Sequence, residues 1–220
     1  MKKFLTALIC LILAFGCSAC GGNDSESSSS SGGGDSSSST APEPEKEIVH
    51  CLTDFGFERG FNLRGLDSAT DSGVVKTVKF TDEEPVWNVA QWWSKHNLKD
   101  GEESITDTVY SLKDQSKKVE INRKYGSITL EINASEEFET FNPVAPAKWP
   151  HLLIEQLIAK IPLADAEKLE AKLDFTITKN EDKRGAGGYG FQSQFAWFIY
   201  IVDTNPKSEG FGNFLWFGLN

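Results

Sequence analysis

Alternation of apolar and polar residues with a period of two is the feature that most constrains the fold of this chain. Residues 127–133 place Ile128, Leu130 and Ile132 on one side of an extended chain and polar residues on the other. Residues 118–122 show the same alternation, and Tyr125-Gly126 between the two segments is typical of a hairpin turn. The pattern therefore predicts a pair of half-buried antiparallel strands.

Further strands are predicted towards the end of the chain. The apolar and polar residues alternate again over 172–178, and two longer aromatic segments at 191–202 and 211–219 flank a polar turn at 203–206. The helical pattern is confined to 164–171, where Asp165 is a candidate N-cap. Many short strands with one short helix predict an all-β fold, an antiparallel β-sandwich of jelly-roll or concanavalin-like type.

The charge balance excludes one class of function. The chain carries 22 Lys and Arg against 32 Asp and Glu, a formal net charge of -10. A protein that binds nucleic acid needs a clustered excess of basic residues to neutralise phosphates, so no nucleic-acid partner is expected. Residues 47–220 contain all six Trp residues, which supplies the apolar material for the core of one domain.

The N-terminus has the pattern of an export signal. Two lysines precede a short apolar run from Phe4 to Phe15, which is too short to span a bilayer and predicts a signal peptide over residues 1–16. The run ends in Leu13-Ala14-Phe15-Gly16-Cys17, which resembles a bacterial lipobox and implies lipidation of Cys17. Cys20, after Ser18-Ala19, is the alternative lipidation site, and an ordinary cleaved secretory peptide is a further interpretation.

A polar segment separates this leader from the domain. Fifteen of the twenty residues from 21 to 40 are Gly or Ser, a composition that cannot bury enough surface to fold. We therefore expect a lipidated, disordered linker over 17–46 and a folded domain over 47–220. The residue after the lipidated cysteine is not Asp, which in the lipoprotein sorting pattern favours the outer membrane or cell surface. A complete domain and a truncated form of a longer one both remain open.

The sequence contains few residues that could form a disulfide or a metal site in the domain. Cys51 is the one cysteine of the predicted domain, so neither an intradomain disulfide nor a thiolate metal cluster can form there. No HExxH spacing is present, and no metal site or cofactor is predicted. The acidic clusters 82–84 and 136–137 are interpreted as solvated surface, with structural calcium as the alternative.

His151 and Glu155 are the candidate catalytic residues. They lie on one side of the element whether the segment is a strand or a helix. A histidine beside a carboxylate can act as an acid/base pair, because the carboxylate fixes the tautomer and raises the imidazole pKa. A purely structural contact beside the Trp149-Pro150 turn is the alternative.

A sugar-binding surface is the second candidate site. In the strand predicted at 191–202, Gln192, Gln194, Phe198 and Tyr200 share a face that mixes amides with aromatic rings. Amides hydrogen-bond sugar hydroxyls and flat rings cover the apolar faces of pyranoses. Trp87, Trp92 and Trp93 are possible additions to this platform, and packing of these rings in the core is the alternative.

The loop before that strand is glycine-rich but is not a phosphate-binding loop. Residues 183–190 lack both a following helix and a GK[ST] ending. We expect a mobile loop in which Arg184 and Tyr189 reach a ligand on the neighbouring face.

Two resemblances follow from these segments. The leader and the Ser-rich linker resemble those of bacterial surface lipoproteins. More loosely, the strand pattern, the Trp149-Pro150-His151 segment and the Gln-aromatic strand resemble the jelly-roll and concanavalin-like sandwiches that bind or cut polysaccharides. The resemblance implies a lipid-anchored domain that binds extracellular glycan, with Gln192, Gln194, Tyr200, Trp149, Arg184 and Tyr189 as ligand-binding residues. A glycoside hydrolase or lyase using His151 and Glu155, and a non-catalytic envelope structural lipoprotein, are the alternatives.

Overall fold

The computed structural model describes the backbone of residues 6–9 and the full residues of 48–66, 73–138, 149–158, 168–181 and 194–218, with the backbone of Leu219. Residues 1–17 and 51–220 belong to one compact unit, and residues 18–50 to another, of which 48–50 contain no helix or strand. The strands of the described part are β1 Thr6–Ile9, β2 Gly60–Arg64, β3 Val74–Lys79, β4 Trp87–Ala90, β5 Glu102–Ile105, β6 Val109–Lys113, β7 Lys117–Asn122, β8 Ser127–Ile132, β9 Leu153–Leu157, β10 Trp197–Val202 and β11 Phe214–Leu219.

Seven of these strands form the larger sheet, in the order β11-β10-β1-β9-β4-β2-β3. All neighbours in this sheet run antiparallel except β2 and β4, which are parallel. Strand β1 lies between β9 and β10, and it falls within the segment predicted as the signal peptide. Cleavage of that leader remains a prediction.

The smaller sheet is a meander of four consecutive strands, β5-β6-β7-β8. The predicted hairpin is confirmed as β7 and β8, whose register pairs Val119 with Leu130. Gly126 in its turn has a φ of 59°, a left-handed conformation that glycine adopts without a steric cost.

The hydrophobic core lies between the two sheets. Phe61, Leu63 and Val89 of the larger sheet are fully buried in one cluster with Leu112 and Ile121 of the smaller sheet. Because strands of both sheets, such as β2, β4, β6 and β7, send alternate side chains into this layer, the fold is the all-β sandwich that the alternation predicts.

The two aromatic strands near the end of the chain are also confirmed. They appear as β10 and β11, which pair with each other over six residues. Residues 203–206 lie in the connection between them, where the side chain of Asp203 accepts a hydrogen bond from the backbone N–H of Asn205 at 2.9 Å. Residues 191–193 of the predicted strand lie outside the described part.

The predicted strand at 172–178 is wrong. Residues 168–181 contain no helix or strand, and Phe175, one of the alternating apolar residues of this segment, is 55% exposed. Its ring stacks on Phe195 with centroids 4.2 Å apart. Alternation defines two faces of an extended chain, but a strand also needs a neighbouring strand to pair with, and the pattern does not reveal one.

The helix predicted at 164–171 is wrong where it can be compared. Residues 168–171 are not helical, and residues 164–167 lie outside the described part. The described segments contain one short α-helix, α1 at Ala134–Glu137, and one 3-10 turn at Leu98–Asp100. The side chain of Asn133 caps α1 by accepting from the backbone N–H of Ser135 at 3.3 Å, which starts a helix directly after β8.

Candidate functional site

Strands β10 and β11 carry aromatic side chains on the outer face of the larger sheet, which faces away from the smaller sheet. Ile199 and Ile201 are buried on the inner side with Ile158, so the alternating Phe198 and Tyr200 point outward. The register pairs Tyr200 with Trp216 and Val202 with Phe214, which puts the rings of β11 on the same side. We call Phe198, Tyr200, Phe214 and Trp216 the aromatic face.

The rings of the aromatic face contact one another. Trp216 meets Phe198 and Tyr200 edge-on, with centroids 5.2 and 5.5 Å apart, and Tyr200 lies 5.3 Å from Phe214. Phe214 is 57% and Trp216 52% exposed, whereas Phe198 and Tyr200 are half-buried. The contacts hold the rings in place, and their solvent-exposed sides can still bind an apolar surface.

Gly218 gives the ring of Phe198 its position. The two residues are direct neighbours across β10 and β11. A Cβ atom on Gly218 would lie 2.9 Å from Cε1 of Phe198, closer than two carbon atoms approach. The glycine therefore lets the Phe198 ring lie over the edge strand.

Phe198 also connects the aromatic face to a second group of rings. It packs against the buried cluster of Ala90, Trp92 and Leu153 on the same outer face. The ring of His151 lies 6.1 Å from Trp92 and 5.1 Å from Trp93, and the contact with Trp93 is edge-on. The described rings thus follow one path from β11 across β10 to the start of β9.

His151 is held in one orientation by the backbone. The backbone N–H of His151 donates to the carbonyl oxygen of Trp92 at 2.9 Å. The ring atom Nδ1 lies 2.6 Å from the carbonyl oxygen of Trp149. Since a carbonyl only accepts, Nδ1 carries the proton, and Nε2 is the acceptor in the neutral ring. Burial lowers the pKa of His151, and the Trp149 carbonyl only partly opposes this effect. The imidazole is therefore neutral at pH 7.

Trp93 is held in a costly backbone conformation beside His151. Its φ of 56° lies in the left-handed region, which a bulky side chain occupies at a cost of about 1 to 3 kcal/mol. The backbone N–H of Trp93 donates to the carbonyl oxygen of Leu66 at 2.8 Å, and the side chain stays 40% exposed. Backbone strain of this kind clusters at binding sites, so Trp93 joins the candidate site.

Glu155 lies on β9, so the segment that contains His151 and Glu155 is extended and not helical. His151 comes two residues before the strand and Glu155 is its third residue, paired with Asn88 of β4. Four residues of extended chain separate Cα atoms by about 13 Å. The partner of the His151 ring nitrogen Nδ1 is the Trp149 carbonyl and not a carboxylate. The catalytic roles of His151 and Glu155 remain predictions.

Three of the six predicted ligand-binding residues lie in the described part, and they occupy different segments. Tyr200 belongs to the aromatic face, Gln194 is exposed shortly before β10, and Trp149 is half-buried beside His151. Gln192, Arg184 and Tyr189 lie outside the described part, as do the lipidation candidates Cys17 and Cys20. Sequence reasoning did not single out Phe214 and Trp216. The aromatic pattern of 211–219 was visible, but the register that aligns it with Tyr200 was not.

Glu137 was predicted at the surface, and this is wrong. Its side chain and that of Lys117 are both fully buried, with Nζ of Lys117 2.9 Å from Oε1 of Glu137. Ser94 donates from Oγ to the same oxygen at 2.6 Å, and the N–H of Lys95 donates to Oε2 at 2.5 Å. The other acidic cluster is at the surface, where Glu83 pairs with Arg59 at 2.8 Å.

The carboxyl group of Glu137 stays ionised in this buried network. Burial acts to raise its pKa, but hydrogen bonds from Ser116, Ser94, Lys117 and Lys95 together hold the pKa below its usual value. Asp114 adds a second carboxylate 3.1 Å from Lys117 Nζ. Since every charged group here is paired, the cluster is suited to joining β7, α1 and the 94–96 loop, and not to chemistry on a ligand.

An open depression of about 610 Å³ lies beside this cluster, lined by polar residues of 95–102 and 113–115. Its charges are of both signs, and its lining includes no Phe, Tyr or Trp. Within the described residues, no group of three or more His, Cys, Asp or Glu side chains could hold a metal ion. The same residues include no helix that is long and apolar enough to cross a membrane.

The chain was compared with known proteins. No protein-family model, curated protein sequence or solved structure matches it.

Proposed function

We propose that this protein is a lipid-anchored domain of the bacterial cell envelope that binds extracellular polysaccharide on the aromatic face. The observation that carries the proposal is the group of four rings on β10 and β11, with Phe214 and Trp216 half exposed. Pyranose rings present apolar C–H faces, and the exposed face of an aromatic ring such as that of Trp216 offers an apolar surface to them.

The path of rings towards Trp93 extends this surface. A polysaccharide chain is an extended ligand, and rings distributed over several strands suit it better than a compact small molecule. The Nε2 atom of His151 adds a hydrogen-bond acceptor beside Trp93 for a sugar hydroxyl.

The sequence of the N-terminus supports the location. The lipobox-like segment ending at Cys17, the alternative Cys20 and the Gly/Ser-rich residues 21–40 would place the domain on a flexible spacer at the outer membrane or cell surface. Incorporation of a labelled fatty acid in a bacterial host tests this part. Loss of label in Cys17→Ser or in Cys20→Ser assigns the site, and absence of label in the unaltered chain contradicts the anchor.

Affinity electrophoresis against plant, algal and host polysaccharides tests the binding site. We expect Trp216→Ala to weaken binding about tenfold, or ~1.4 kcal/mol. Tyr125→Ala is the matched control, because Tyr125 is an exposed aromatic residue in the β7–β8 turn and does not belong to the aromatic face. Equal retardation of both variants by a bound polysaccharide would place the site elsewhere.

A polysaccharide-degrading enzyme is the second candidate. The neutral His151 beside the exposed Trp93 favours it, because a neutral imidazole can accept a proton from a bound sugar. Release of reducing or unsaturated ends from a polysaccharide, and its loss in His151→Ala, would support this function. Unchanged release in that variant would remove His151 from the reaction.

A further inference from the structure

One strand of the larger sheet comes from the segment that the proposed lipidation would remove. Strand β1, Thr6–Ile9, lies in the leader 1–16 and pairs antiparallel with both β9 and β10. Without β1, the backbone N–H and C=O groups of β9 and β10 that face it lose their hydrogen-bond partners. Unpaired backbone groups inside a sheet are costly, so the place of β1 favours the entry of another strand.

The orientation of this place indicates which part of the chain fits it. Because β1 is antiparallel to both of its neighbours, β9 and β10 run parallel to each other. A strand that follows β9 and precedes β10 in sequence can run antiparallel to both, the up-and-down order in which consecutive strands commonly pair. The connection between β9 and β10 can therefore supply a strand in the direction that this place requires.

Residues 172–178 are the part of this connection that has the pattern of a strand. Leu173, Phe175 and Ile177 alternate with polar residues, although the segment forms no strand in the full chain. Phe175 and Ile177 are 55% and 41% exposed, so burying them would remove apolar surface from water. The Phe175 ring stacks on Phe195, two residues before β10, which places the segment near the strand that it would join.

We propose that residues 172–178 replace β1 between β9 and β10 when the leader is removed. The inference rests on the cleavage that belongs to the proposed lipid anchor. Residues 158–171 and 179–196 are then the connections to β9 and β10, and both are longer than the two residues that an antiparallel turn needs. In the full chain β1 occupies this place, so the same segment stays outside the sheet.

The alternation favours one register for the new strand. The position opposite Tyr200 faces outward, because paired residues of antiparallel strands share a face. With Thr176 in that position, Phe175 lies opposite Ile201 and points into the inner layer, where Ile201 is buried. A shift by one residue turns Phe175 outward. A shift by two residues either sets the charged Asp174 opposite Tyr200 or moves Phe175 beyond the end of β10.

Hydrogen–deuterium exchange of the full chain and of the chain that begins at residue 17 tests the replacement. Both chains carry Cys17→Ser and Cys20→Ser to prevent lipidation. In the full chain the amides of residues 173–177 should exchange rapidly, because they belong to no strand. In the shorter chain we expect exchange of these amides to be about tenfold slower or more, since the amides of a central strand are hydrogen-bonded to its two neighbours. Residues 119–121 in the smaller sheet are the reference for a folded sandwich.

Phe175→Lys tests the role of the alternating side chains. A lysine that points into the inner layer would be charged and unpaired there, so the shorter chain with this substitution should lose the slow exchange of residues 173–177. In the full chain Phe175 lies outside the sheet, and the variant should leave the amides of residues 200–202 protected. The matched control is Leu169→Lys, because Leu169 is 45% exposed and lies outside the proposed strand. It should leave the exchange of both chains unchanged.

Equal exchange of residues 173–177 in the full and the shorter chain would overturn the proposal, as would slow exchange that persists in the shorter chain with Phe175→Lys. Loss of protection at residues 119–121 in the shorter chain would also overturn it, because the sandwich would then require β1. Failure of the lipid anchor is a separate result. In that case the unaltered chain takes up no labelled fatty acid in the bacterial host, whatever the exchange of the shorter chain.

Discussion

Lys117 and Glu137 form an ion pair whose side chains are both inaccessible to solvent, with Nζ and Oε1 2.9 Å apart. They join the first residue of β7 to the last residue of α1 across the end of the smaller sheet. Lys117 also donates to the carbonyl oxygen of His96 at 2.8 Å, so one ammonium group fixes three segments of the chain.

Replacing Lys117 by Met should destabilise the protein strongly. The substitution removes the cation but leaves the carboxylate of Glu137 in the interior, and an unpaired buried charge costs about 3 to 5 kcal/mol. Urea unfolding followed by circular dichroism measures the change. Lys118→Met is the control, because Lys118 is the next residue of β7, is partly exposed and pairs at the surface with Glu120. Its loss should change stability by less than about 1 kcal/mol, and equal losses in the two variants would contradict the interpretation.

The stability of the fold should fall as the pH falls below about 6.5, the ordinary pKa of histidine. The pKa of His151 is lowered by burial, so below that pH the unfolded chain binds a proton that the folded chain does not. The contribution of neutral His151 to the free energy of unfolding is therefore complete above pH 6.5. It is lost as the pH falls towards the pKa of His151 in the folded protein.

Urea unfolding at several pH values between 7.5 and 5.5 tests this dependence. In His151→Gln the decrease over this range should be smaller than in the unaltered chain, because glutamine does not titrate. Parallel curves for the two proteins would show that His151 does not carry the effect. The window stays above the range in which carboxylates such as Glu137 take up protons.

Part of this architecture follows from local pattern and part does not. The β7–β8 hairpin was predictable because the two alternating segments and the Tyr125-Gly126 turn between them lie within sixteen residues, and the turn fixes the register of the two strands. The burial of Glu137 was not predictable, because its partners Lys117 and Ser94 are 20 and 43 residues away in sequence. Polar residues are assigned to the surface by default, and only the tertiary contact reveals the exception.

The candidate site shows the same division. The aromatic composition of β10 and β11 was evident, and it suggested Tyr200 as a ligand-binding residue. The pairing of Tyr200 with Trp216, and of Phe198 with Gly218, depends on the strand register. Register is a long-range property, since a shift of one residue would move every ring to the opposite face.

Removing residues 1–16, as the proposed lipidation of Cys17 would, should open the larger sheet between β9 and β10 where residues 172–178 cannot replace β1. Strand β1 pairs Thr6, Ala7 and Leu8 with Val202, Ile201 and Tyr200. Hydrogen–deuterium exchange compares the full chain with the chain that begins at residue 17, each carrying Phe175→Lys. We expect faster exchange in the shorter chain for amides of residues 200–202, while residues 119–121 in the smaller sheet serve as the unaffected reference. Equal protection of residues 200–202 in both chains would contradict the pairing with β1.

Replacing Gly218 by Ala should disturb the aromatic face from beneath. The added Cβ would meet Cε1 of Phe198 at 2.9 Å, and since this neighbour is a side chain, the ring must move. We expect a loss of stability of about 1 kcal/mol, together with weaker polysaccharide binding if the aromatic face is the site. Unfolding and affinity electrophoresis measure the two effects. Gly73→Ala is the control, because no atom lies within 4 Å of its added Cβ. Unaltered binding in Gly218→Ala, with the ring displaced, would show that Phe198 does not contact the sugar.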